Sequence, residues 1–313
     1  MSSEKRAFIF PGQGSQYVGM GKEFYDNFKV AREVFEEADE ALSLPISKLC
    51  FEGPEDQLKL TENTQPAILT VSVACLRVLQ SEKGLVPAMT AGHSLGEYSA
   101  LVASGALRFA DAVRVVRLRG RFMQEAVPVG EGAMAALLGM EREAVERLCQ
   151  EEAQGEVLTP ANFNCPGQIA ISGHAQAVQR AIEKAKQQGK KAVLLPVSAP
   201  FHSPLMKPAG ERLAEALKEI EVKDLRIPVV TNVEARINTS KDRVKELLVS
   251  QVSSPVRWED SIREMIQNGI EGFIEVGPGK VLTGLMKRID SSRFATNVED
   301  MKTLKGLLHP PAA

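Results

Sequence analysis

The chain has 313 residues, of which 44% are hydrophobic, and 38 Lys+Arg against 40 Asp+Glu give a formal net charge of -2. That length buries a sizeable core in one large domain or a large domain with an insert. The balanced charge, with basic residues no denser than pairs such as Lys190-Lys191, argues against nucleic-acid binding. The polar start and the lack of any apolar run of transmembrane length predict a soluble, unexported, cytoplasmic protein with no membrane partner. Cys50, Cys75, Cys149 and Cys165 are scattered, with no metal-ligand spacing, and read as free thiols.

In chain order, residues 7–10 form a short apolar strand ended by Pro11-Gly12. Residues 64–79 carry apolar side chains at helical spacing, 88–91 form a buried strand, and 95–103 and 110–126 are helical. Strands alternating with helices predict an α/β fold with a parallel sheet. From residue 132 the rhythm changes to strand 133–138, helix 141–150, strands 156–161 and 168–172, helix 175–188 and strand 192–197. This βαββαβ order is the ferredoxin-like pattern, bracketed by Pro128 and Pro200. The expected division is therefore a large domain of residues 1–128 and 199–313 and an inserted small domain of residues 129–198. Further strands of the large domain are expected at 228–231, 272–276 and 294–297, and a frayed tail at 310–313.

Gly92-His93-Ser94-Leu95-Gly96, between the second strand and a helix, has the G-x-S-x-G form of a nucleophile elbow. Such a turn lifts a serine hydroxyl out of the sheet and aims it near the amide end of the next helix, so Ser94 is the candidate acyl-accepting nucleophile. A base has to come from His93, His174, His202 or His309. His309 lies in the tail, His174 opens a helix and reads as a solvated cap, and His93 points away from its neighbour across the elbow. His202 remains, in the proline-punctuated loop Ala199-Pro200-Phe201-His202-Ser203-Pro204 at the junction of the two units.

Phe10-Pro11-Gly12-Gln13-Gly14-Ser15-Gln16 fails the dinucleotide fingerprint, because Tyr17 stands where a third glycine belongs. Gly277-Pro278-Gly279-Lys280 fails the P-loop spacing in the same way. Beside the elbow, the Gln13 region reads as an oxyanion donor or a simple turn. On the helix that holds Arg117, Arg119 and Arg121, one guanidinium turned into the cleft would fork onto a carboxylate.

Phe10-Pro-Gly-Gln-Gly-Ser-Gln16, Gly92-His-Ser-Leu-Gly-Glu-Tyr98, Arg119-Gly-x-x-Met-Gln124, Asn162-Phe-Asn164, Phe201-His202 and Glu275-Val-Gly-Pro-Gly279, in this order, resemble the malonyl-CoA:acyl carrier protein transacylases, acyltransferases of fatty acid synthesis. The resemblance spans nearly the whole chain and implies an α/β-hydrolase-like large domain with a ferredoxin-like insert. It implies Ser94 as nucleophile and His202 as general base, with the Gln13 and Leu95 amides forming an oxyanion hole. Arg119 would clamp the malonyl carboxylate, the Gln251 main-chain carbonyl would hold His202, and Asn162 and Phe201 would line the pocket. Phe201 and Leu95 match a malonyl-selecting rather than a methylmalonyl-selecting pattern. The expected partners are malonyl-CoA and a holo acyl carrier protein, with no metal or other cofactor, in a monomer. Two rivals stand beside this reading. An esterase or thioesterase would need an acid such as Asp111 or Glu125 behind the histidine, and a carrier-docking module would not need Ser94, His202 and Arg119 together.

Overall fold

The computed structural model describes residues 5–197 and 199–307; Ser198, His309 and the 310–313 tail lie outside the described residues. The strands, in chain order, are β1 (Arg6–Phe10), β2 (Met89–Gly92), β3 (Gly132–Leu138), β4 (Leu158–Cys165), β5 (Gln168–His174), β6 (Lys191–Leu194), β7 (Val229–Val230), β8 (Ile237–Asn238), β9 (Gly272–Val276) and β10 (Phe294–Val298). They form a six-stranded sheet of order β10-β9-β1-β2-β7-β8 and a four-stranded sheet of order β4-β5-β3-β6. The larger sheet is parallel except where β8 pairs with β7, and the smaller is antiparallel throughout.

Both faces of the larger sheet are covered, as a parallel sheet with helical crossovers requires. Strand periodicity divides β1 between the two sides. Phe8 and Phe10 pack with Ile68, Val71 and Leu101, whereas Ala7 and Ile9 pack with Trp258, Ile262 and Phe273. The helices Thr61–Lys83 and Phe109–Glu125 pack against each other on the first side.

The smaller sheet applies the same alternation to a different end. Ala135 and Leu137 of β3 and Ile169 and Ile171 of β5 face the helices Arg142–Ala153 and Ala175–Gln187, which contribute Val145, Leu148, Val178 and Ile182. Met134, one position out of phase, packs instead with the core of the larger unit. One face of the small sheet thus closes its own core and the other looks into the cleft.

The differences from expectation have local causes. β4 runs from Leu158 to Cys165 rather than over 156–161, because its pairing with β5 continues through irregularities between Pro160 and Asn162 and between Phe163 and Cys165. β6 stops at Leu194 instead of residue 197, where the Val197 amide turns back onto the Leu195 carbonyl. β8 has only two residues, too short for any periodicity, and it escapes the sequence reading altogether. The four cysteines are free and buried, and no helix among the described residues is long and apolar enough to cross a membrane.

Candidate active site

The turn from β2 into the helix Gly96–Ala103 is built on two backbone contacts that leave no room for a side chain. A Cβ on Gly92 would lie 1.8 Å from the Gly96 carbonyl carbon, and one on Gly96 would lie 2.1 Å from the Phe10 carbonyl oxygen. Between them Ser94 takes φ 51°, the left-handed conformation that a non-glycine residue rarely holds without support. That support is visible: the Ser94 amide donates to Asn232 Oδ1 at 2.7 Å, and Asn232 Nδ2 donates to the Gly92 carbonyl at 2.7 Å.

The Gly96, Glu97 and Tyr98 amides donate to the His93, Ser94 and Leu95 carbonyls. The Leu95 amide, at the helix cap, has no acceptor among the described residues, nor has the Gln13 amide in the loop after β1. An unpaired amide at a helix start, as at Leu95, is suited to developing negative charge, and an unpaired loop amide such as that of Gln13 offers a second donor. Gln13 and Leu95 line one pocket with Ser94.

His202 joins them from the loop before the helix Lys207–Lys218. It too has positive φ, 59°, in a turn closed by a 2.7 Å bond from Ser203 Oγ to the Pro200 carbonyl. His202 Nε2 lies 2.7 Å from Ser94 Oγ, and Nδ1 lies 2.9 Å from the Gln251 carbonyl oxygen. A carbonyl only accepts, so Nδ1 carries the proton and Nε2 is left as the acceptor for the serine hydroxyl. Burial, followed by the charge of Arg119, pushes the imidazole down to about 3, so it is neutral at physiological pH.

Among the described residues no carboxylate stands behind His202, whose Nδ1 is held by the Gln251 carbonyl. Asp111 is paired with Arg108 at 2.7 Å and Arg114 at 3.6 Å, and Glu125 with Arg212 at 2.7 Å. The other two described histidines, His93 and His174, are engaged elsewhere. His93 Nε2 is 2.9 Å from Asn164 Oδ1, with its ring against Trp258. His174 does stand at a helix N-cap, but its side chain makes no cap bond, and Nδ1 instead accepts from the Val157 amide at 2.9 Å. The Gly279 amide, in the loop that failed the P-loop spacing, donates to Glu299 Oε2 at 2.6 Å.

Of the three candidate arginines, Arg119 enters the pocket, and it is only 1% exposed. Its Nη1 donates to Gln65 Oε1 at 2.8 Å, and its Nη2 donates to Gln251 Oε1 at 2.9 Å and Ser94 Oγ at 3.1 Å. Among the described residues no carboxylate lies within ion-pairing distance of it. Burial pulls its pKa down, with Tyr98 and Glu97 acting in the opposite sense, yet a guanidinium remains charged. Arg121 pairs with Glu62 on the surface at 3.1 Å.

Met134, Asn162, Leu195, Val197 and Phe201 also line the pocket, with Met123 and His93. The sequence reading missed Gln65, Glu97 and Asn232. Gln65 left no signal, since it follows the polar Thr61-Glu62-Asn63-Thr64 at the start of its helix, and Asn232 is placed only by the end of β7. A serine bonded to a neutral imidazole, two unpaired amides and a buried unpaired cation together constitute equipment for acyl transfer of an anionic group.

Comparison with known proteins places the chain in a family. A family described as acyl transferase domain matches residues 7–310. A malonyl CoA-acyl carrier protein transacylase of Bacillus subtilis is 53% identical over 303 residues, 96% of this chain and 95% of that protein. The crystal structure of an acyl carrier protein S-malonyltransferase from Vibrio cholerae superposes with a TM-score of 0.94 at 46% identity, covering 97% of this chain and 99% of that one. A malonyl-transacylase in complex with a holo acyl-carrier protein of a type II polyketide system has a TM-score of 0.94 at 45% identity, with 97% and 99% covered. The chain belongs to the acyl transferase domain family.

Proposed function

We propose that this enzyme transfers the malonyl group of malonyl-CoA to the phosphopantetheine thiol of a holo acyl carrier protein, through a malonyl ester on Ser94, in fatty acid synthesis. The observation that carries the substrate assignment is Arg119, a buried cation with no anionic partner among the described residues, 3.1 Å from the serine oxygen. The free carboxylate of a short dicarboxylic acyl group is the partner that such a site lacks.

In the first half-reaction His202 Nε2 takes the Ser94 hydroxyl proton as Oγ attacks the thioester carbonyl. The Gln13 and Leu95 amides hold the oxyanion. The C–S bond then breaks and the CoA thiolate takes the proton back from Nε2. The second half-reaction reverses these roles, with the pantetheine thiol giving its proton to Nε2 and attacking the ester, and Ser94 recovering its hydrogen. The Gln251 carbonyl does for the imidazole what a carboxylate does in a Ser-His-Asp triad, fixing tautomer and orientation without adding a charge. Phe201 and Leu95 in the pocket wall fit an unbranched extender.

Hydrolysis is the weaker reading, because Asp111 and Glu125 are committed to arginines away from His202. The small unit, residues 129–198, is read as a ferredoxin-like insert in an α/β-hydrolase-like domain of residues 1–128 and 199–313; its β4-β5-β3-β6 order supports this. A cytoplasmic monomer completes the proposal. Intact-mass measurement after mixing with malonyl-CoA tests it: a single malonyl adduct that is discharged by holo carrier protein is expected. Release of free malonate without an accumulating adduct would favour the hydrolase.

A further inference from the structure

Glu97 is a buried acid that the mechanism above does not use. It lies in the first turn of the elbow helix, 2% exposed, and one of its oxygens, Oε2, accepts from Gln251 Nε2 at 2.8 Å and from the Asn232 amide at 3.0 Å. Gln251 turns its other amide atom, Oε1, to Arg119 Nη2 at 2.9 Å, and its Nε2 also reaches the Ser94 carbonyl at 3.0 Å. A primary amide can satisfy a carboxylate and a guanidinium together in one orientation only, NH2 towards the anion and oxygen towards the cation. The chain Glu97–Gln251–Arg119 is therefore directional.

We propose that Glu97 is a positioning residue for malonyl selection, acting through the side-chain amide of Gln251 to keep Arg119 oriented and electrostatically balanced for the substrate carboxylate. This inference rests on the malonyl reading above. Its physical basis is a conflict that every buried carboxylate clamp faces. A buried cation with no anion nearby is costly, but an acid bonded directly to it would occupy the donors that the substrate needs. One amide of separation resolves the conflict, because Glu97 neutralises the region while leaving the guanidinium without a carboxylate of its own.

If Glu97 were protonated, its hydroxyl would need an acceptor, and Gln251 would rotate its oxygen to Glu97 and its NH2 group to Arg119. Two donors would then face each other and the clamp would lose its alignment. Glu97 has the charge of Arg119 facing it from the helix Phe109–Glu125, and on its own helix Tyr98, whose ring lies 5.7 Å from that guanidinium. His202, neutral and bonded to the Gln251 carbonyl, adds no charge. Burial pushes the Glu97 carboxyl up to about 7, against the pull of the Asn232 and Gln251 hydrogen bonds and Arg119.

The test is Glu97→Gln. A glutamine is uncharged and, like the protonated acid, presents one donor group and one acceptor oxygen, so it holds the Glu97 position in its protonated arrangement at every pH. The readout is kcat/KM for acylation by malonyl-CoA and by acetyl-CoA, in wild type, E97Q and R119A, across about pH 5.5 to 8. E97Q is expected to lower the malonyl to acetyl ratio about ten-fold and to make it independent of pH, whereas the wild-type ratio falls as pH drops through about 7. A merely structural role would lower both substrates in parallel and leave the ratio unchanged, and that result overturns the inference. If E97Q does not fold, the wild-type profile decides, and a flat ratio is fatal. An R119A variant that keeps the wild-type ratio overturns the malonyl clamp itself, and this inference with it. A changed ratio in R119A with an unchanged one in E97Q overturns only the role of Glu97.

Discussion

Ser94 and His202 stand 108 residues apart in sequence, yet Ser94 Oγ lies 2.7 Å from His202 Nε2, and both backbones are held at positive φ, 51° and 59°. Each such conformation costs about 1–3 kcal/mol, so nucleophile and base are positioned by strain that the surrounding hydrogen bonds maintain. Ser94→Ala keeps the fold, because alanine requires the same backbone, and is expected to abolish both the malonyl adduct and transfer. An adduct that persists on intact-mass analysis would place the nucleophile elsewhere. His202→Ala should slow both half-reactions, each by roughly 10²- to 10⁴-fold. Wild-type acylation with slow transfer alone would contradict a shared base.

The pH dependence follows from the direction in which His202 is shifted. With its pKa lowered from 6.5 to about 3, chiefly by burial, the imidazole stays neutral and basic as pH falls from 8 to about 5. An unperturbed histidine would lose its neutral form roughly thirty-fold at about pH 5. Acylation by acetyl-CoA, which makes no demand on the carboxylate clamp, should therefore be nearly flat over that range. A limb with a midpoint near 6.5 in the kcat/KM profile would show that His202 is more solvated than its position implies. The unfolded chain takes up the proton first, so this residue's contribution to stability is present above 6.5 and lost as pH falls towards 3.

Arg119→Ala strands the malonyl carboxylate in a site that excludes water. The expected loss is about 2–5 kcal/mol, roughly a thirty-fold to several-thousand-fold fall in malonyl kcat/KM. Acetyl transfer should hold or rise. Arg119→Lys is expected to fall between, since a point charge lacks the planar fork. Equal losses for both acyl groups would mean that Arg119 serves Ser94 Oγ, its 3.1 Å neighbour, rather than the substrate.

Gly96→Ala tests the elbow as a packing problem. The added Cβ meets the Phe10 carbonyl oxygen at 2.1 Å, and backbone cannot rotate away as a side chain can. Destabilisation of about 3 kcal/mol or more is expected, read as a lower midpoint in urea. A variant with wild-type stability would show that β1 and the elbow helix separate more easily than their contacts suggest.

The sequence by itself determined the parts of this protein that local chemistry dictates. Two glycines four apart around a serine specify a strand-to-helix elbow, because the contacts they relieve lie within the turn and the adjacent strand. The alternation along β1 and β3 specifies which side chains face which core, because strand geometry has period two. Even the switch from parallel to antiparallel organisation near residue 132 was legible, since element order changes there. Only the tertiary structure decided how Arg119 is balanced. Its hydrogen-bond partners Gln65 and Gln251, and Glu97 behind Gln251, come from three different helices; nothing in the spacing of a glutamate beside an elbow says that its charge reaches a guanidinium through an amide from residue 251. Asn232 holds the Ser94 amide from a position 138 residues away, after a strand of two residues. Hydrogen bonds of this kind depend on where a side chain ends in space, and that is set by the packing of whole helices rather than by any pattern along the chain.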